Sequence, residues 1–183
     1  SLEEYAQKRE VFRADVIRHK KKRRVSIGDH VTLHFEDRQT MQYQMQETLR
    51  VEKIFEREAI EEELAAYNPL IPDGSNWKAT MMIEYPDIEV RKQQLAKLMG
   101  IEDKVWVQVG NFDKVWAIAN EDLERTTEEK TSAVHFLRFE LNTEMVSSAI
   151  NKDEIKIGID HPQYQGVLSL PDLASTSLAN DLS

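Results

Sequence analysis

Apolar residues recur along this chain with two different periods, and the period changes mark out its elements. Tyr5, Phe12, Val16 and Ile17 fall at near-helical spacing among charges, which predicts a helix over residues 3–22. The basic run Lys20-Lys21-Lys22-Arg23-Arg24 ends it. Val25 and Ile27 then lead to the turn signal Gly28-Asp29. Val31, Leu33 and Phe35 alternate with His30, Thr32, His34 and Glu36, the period of a strand with one apolar and one polar face. Helix is expected from about 40 to 66, with a break near Glu56–Glu58 where the apolar phase slips. Within it, Met41, Tyr43 and Met45 also alternate with glutamines as a strand would, so 41–46 stays open between the two.

The loop "YNPLIPDGSN" separates this helix from a strand over 77–85. Asp87 suits the cap of a helix running to Leu98, with Gly100 as its stop. "KVWVQV" and "KVWAIA" flank Gly110 to Asp113 as an antiparallel hairpin. A strand over 131–141 follows, then a short helix capped by Thr143, then a last strand over 154–161. Ser169 and Asp172 stand in capping-box order around Pro171 and open a terminal helix, with residues 174–183 expected to fray. About six strands and five helices in this order predict one α+β domain over 1–183. Its sheet is mostly antiparallel and its helices pack mainly on one face.

Composition narrows the function classes. The chain has 183 residues, 40% of them apolar and 31% charged, which fits a soluble globular domain. Its net charge of −9 disfavours a nucleic-acid partner, since phosphate binding rests on clustered Lys and Arg. The basic run 20–24 is therefore read first as cations at a helix C-terminus facing water, and only second as an RNA patch. With no cysteine, the chain has no disulfide, thiolate metal ligand or thiol nucleophile, and a cytoplasmic location is expected. No apolar run is long enough for a membrane helix.

The stretches "FEDRQT", "NPLIPDGSN", "IEYPD", "VHFLRFEL" and "DHPQY" resemble one bacterial family over nearly the whole chain, the domain-of-unknown-function family numbered thirty-five-oh-one. The resemblance implies a single-domain, cytoplasmic bacterial protein of unknown activity, in a redox or oxidative-stress setting. It carries over no catalytic residue.

Candidate chemistry concentrates in three places. His34 and Glu36 stand two residues apart on a strand, roughly 6.6 Å by its rise. They fit an acid/base pair, or a divalent metal completed by a third ligand such as His135 or Glu140. No HExxH pattern supports this, and the sequence requires no cofactor. The alternative is a solvated polar strand face, and His135, in line with Leu137 and Phe139, reads equally as a core histidine. Glu36-Asp37-Arg38 sits where a strand hands over to a helix. Arg38 suits an anionic ligand, with Gln42 and Gln46 one turn apart to offer amides. The plainer alternative is that Asp37 or Thr40 only caps the helix. In the proline-fixed loop, Asp73, Ser75 and Asn76 are placed to face a ligand; Arg138 and Glu140 form an expected ion pair and count among the ligand-binding candidates. Two functions follow. The first is an accessory domain that binds a protein or small molecule, or forms a homodimer. The second is an enzyme acting on an anionic small molecule through Glu36, Asp37, Arg38 and His135, with His34, Glu36 and His135 as the metal candidates.

Overall fold

The computed structural model describes residues 1–127 and 129–183. In order, its elements are α1 (Leu2–Lys22), β1 (Arg24–Ile27), β2 (Val31–Glu36), α2 (Arg38–Val51), α3 (Arg57–Tyr67), β3 (Asn76–Ile83), α4 (Ile88–Lys97), β4 (Val105–Val109), β5 (Val115–Trp116), β6 (Ile118–Ala119), β7 (Val134–Glu140), α5 (Thr143–Ile150), β8 (Ile155–His161), β9 (Tyr164–Ser169) and α6 (Asp172–Ala179). The class is α+β with antiparallel pairing, as the periodicity predicts. The strands build two sheets, in the orders β1-β2-β3-β7-β6 and β5-β4-β8-β9.

Period-two alternation explains how the sheets meet. In the first sheet, Leu33 lies opposite Val25 and Met81, and Phe35 opposite Ala79. In the second, Val105 faces Ile159 and Val107 faces Ile157. These inward rows form one continuous core. Leu95 and Leu98 of the α4 end, Val146 and Ala149 of α5, and Ala174 and Leu178 of α6 join the same core. The strand after Lys114 serves both sheets. Trp116 pairs with Trp106, whereas Ile118 pairs with Arg138, so the predicted hairpin splits at Ala117. Across the opposite margin, the Tyr164 hydroxyl donates to the Ile27 carbonyl at 2.5 Å and joins β9 to β1.

Local chemistry sets the helix ends. Asp37 caps α2 in a capping box with Thr40, which settles 41–46 as helix. Asp87 caps α4, and Gly100 takes the left-handed conformation past its end. Four expectations are corrected. Asn142, one residue before Thr143, caps α5. "YQGVLS" is strand β9 paired with β8; its residues alternate between half buried and exposed, with apolar Val167 on the exposed face, which blunts the apolar alternation. Ser169 does not cap α6 but donates to Glu154. The tail is anchored rather than frayed: Leu178 and Leu182 are buried, and the Trp77 indole donates to the Leu178 carbonyl at 2.9 Å.

Candidate functional site

The outward face of the first sheet carries a cross-strand row, Arg24, His34, Thr80 and Phe136, beside a second row, Thr32, Met82 and Val134. Ile17, Lys20 and Lys21 of α1 and Gln44 of α2 stand over these rows. Between them lies a cleft of about 470 Å³, within the range of small-molecule pockets. Met82, Val134 and Phe136 make its apolar wall, Lys20, Lys21 and Arg24 its basic rim. Glu36 is buried against it and accepts hydrogen bonds from the Thr40 hydroxyl at 2.6 Å and the Thr80 hydroxyl at 2.9 Å. His34 is half buried, and desolvation pulls its pKa below the ordinary value, with the Glu36 charge only partly opposing this. A neutral imidazole in a mixed polar and apolar cleft can accept or donate one hydrogen bond.

His34 and Glu36 thus share a site, but His135 does not join them. In the register, His135 lies opposite Met81 on the inward face, while His34 lies opposite Thr80 on the outward face. This pleat parts His135 from His34 and Glu36, so these three do not converge as a metal set. Among the described residues, no group of three His, Asp or Glu is disposed to hold a metal ion. His135 is a fully buried core histidine. Its Nδ1 sits 2.8 Å from the Asn120 amide and its Nε2 2.9 Å from the Ser132 carbonyl. That pattern fits a neutral ring with its proton on Nε2. Burial lowers its pKa, and nearby Glu102 opposes the shift.

A second cleft, of about 400 Å³, opens at the end of β2. It brings together Asp37, Arg38, Ile71 and Pro72 with His19, Arg23 and Asp181. Asp37 bonds His19 at 2.5 Å, and Arg38 is exposed at the lip. The other ligand candidates scatter. Gln42 shares one crevice with Arg38 beside α3, and a different crevice with Gln46 beside α1. Asp73 binds the Ser75 backbone, and Ser75 and Asn76 donate to Glu140. Arg138 makes a paired contact with Glu121 at 2.9 and 2.8 Å and a third bond to Glu140 at 2.5 Å. Burial opposes ionisation of Glu140, yet the Ser75, Asn76 and Arg138 donors outweigh it and lower its pKa. These six residues form one hydrogen-bonded network.

The family model described as "Protein of unknown function (DUF3501)" matches residues 1–182. The chain belongs to this family. A crystal structure of a novel protein of unknown function from Burkholderia pseudomallei, at 1.90 Å resolution, is 50% identical in sequence with a TM-score of 0.94. The match covers 100% of this chain and 95% of that one. No curated protein matches. No helix of the described DUF3501 chain is long and apolar enough to cross a membrane.

The basic run of this DUF3501 chain is corrected at one position. Arg23 is 2% exposed, not solvated. Its guanidinium donates to the carbonyls of Phe35, Glu36 and Ser177 and to both oxygens of Asp181, at 2.5–3.2 Å. Desolvation raises the Asp181 pKa to about 6, even against the pull of Arg23. Asp37, 3.6 Å from the same guanidinium, moves the other way. Burial opposes its ionisation, but Arg23, the Thr40 backbone N–H and His19 prevail. A signal for Arg23 was present in the helical phase: it stands seven residues beyond buried Val16, on the stripe begun by Tyr5 and Phe12.

Proposed function

We propose that this DUF3501 chain is a small-molecule-binding domain and that the sheet-face cleft is its site. One observation carries the proposal. The cleft combines an apolar wall of Met82, Val134 and Phe136 with a few convergent polar groups, His34, Thr80 and Gln44, in a volume suited to a small ligand. The strand-end cleft fits less well, because its central cation, Arg23, is already saturated by the protein's own carbonyls and by Asp181. The proposal is of binding and assigns no reaction.

The test is titration of the full chain with Nile red, a neutral apolar dye. Saturable binding is expected, and Val134→Trp, which fills the cleft, abolishes it while leaving the thermal melt in place. Equal binding by the filled variant, or no binding by the native chain, overturns the proposal.

A further inference from the structure

The cleft has a direction, and that direction selects a ligand. Arg24 lies on β1, His34 on β2, Thr80 on β3 and Phe136 on β7, in register across four adjacent strands. Strands in a sheet stand about 4.8 Å apart, so this row spans roughly 14 Å. Positive charge gathers at one end, where Lys20 and Lys21 from the last turn of α1 meet Arg24. Among the salt bridges of the described residues, none of these three cations is paired. Apolar surface gathers at the other end, on Met82, Val134 and Phe136. The carboxylates nearby are engaged: Glu36 by the Thr40 and Thr80 hydroxyls, and Glu84 by the Thr32 hydroxyl at 2.9 Å.

Resting on the cleft reading, we propose that the ligand is a soluble amphipathic carboxylate with its anionic head on Lys20, Lys21 and Arg24 and its body over Met82, Val134 and Phe136. The row sets its size. At about 1.2 Å per bond of extended chain the row is about twelve bonds long, so head and body together match an acyl chain of about ten to twelve carbons, or an aryl group of equal reach. His34, midway along the row, faces any polar atom of the ligand's middle. Charge complementarity fixes which end goes where, and Ile17 of α1 covers the chain from above.

The experiment is displacement of bound Nile red by decanoate, decanol and inorganic phosphate, on the full chain and on the triple variant Lys20→Gln/Lys21→Gln/Arg24→Gln. Decanoate is expected to displace the dye better than decanol, and phosphate not at all. The triple variant should weaken decanoate about tenfold, leave decanol within about twofold, and remove the salt dependence. Decanol equal to decanoate, with an indifferent triple variant, overturns the carboxylate assignment while the cleft reading stands. Failure of the dye to bind at all sinks both. Capture of the chain by phosphatidylglycerol vesicles, with no response to free decanoate, overturns it in favour of a lipid surface.

Discussion

Replacing Arg23 by methionine keeps a similar length and removes the charge from a site where its side chain is 1% exposed. Asp181, whose side chain is 7% exposed, then sits buried without its cation. The carbonyls of Phe35, Glu36 and Ser177 lose their donor at the same time. Breaking one side of a buried ion pair costs about 3–5 kcal/mol. In a chain of this size that lowers Tm by about 6–20 °C. Urea unfolding at pH 7, followed by tryptophan fluorescence, measures the loss. The pH dependence gives a second check. An Asp181 carboxyl that titrates near 6 folded and 3.8 when free takes up a proton on folding between those values. It therefore adds stability as pH falls through 6 and withholds it at pH 7. Without Arg23 the same carboxyl is still harder to ionise, so the deficit of Arg23→Met narrows at pH 5. The double variant Arg23→Met/Asp181→Leu recovers part of the loss, since it removes both charges but leaves the three carbonyls unsatisfied. A single variant within about 1 kcal/mol of the native chain would refute the assignment of Arg23 as a saturated structural clamp.

Three further outcomes follow from the packing. Gly158→Ala places a Cβ into the Trp106 ring and 2.9 Å from the Gly166 carbonyl, so it destabilises by about 1–3 kcal/mol in a urea melt. His135→Ala strips partners from half-buried Asn120 and buried Thr131 and costs about 2–3 kcal/mol, yet Nile red titration stays unchanged, because His135 lies on the other face of the sheet. Leu178→Ala costs about 2–5 kcal/mol by calorimetry, whereas a frayed terminal segment would show no loss.

Much of the architecture was legible in the residues. The alternation through Val31, Leu33 and Phe35 marks β2, Asp87 and Gly100 bracket α4, and Asp37 marks the start of α2. What escaped depends on long-range packing. β9 carries Gly166 and a half-exposed face, so its pattern fades, and it exists because β8 pairs with it. The pairing of His34 with Glu36 in one cleft followed from their spacing. The exclusion of His135 required the pleat register, which places Thr80 and Met81 on opposite faces. Within the run Lys20 to Arg24, composition does not separate one cation from the next; only the phase of α1 distinguishes Arg23.

The Arg23 clamp also constrains the order in which the molecule is made. Its carbonyl partners Phe35 and Glu36 lie 12 and 13 residues away, but Ser177 and Asp181 lie 154 and 158 residues away. Closing contacts of such sequence separation comes late, because loop entropy must be met before they form. During synthesis, β1 and β2 are available to pair long before α6 leaves the ribosome. Until then Arg23 keeps its water and the sheet lacks its Trp77–Leu178 seal. Completion of this fold therefore waits on the emergence of α6.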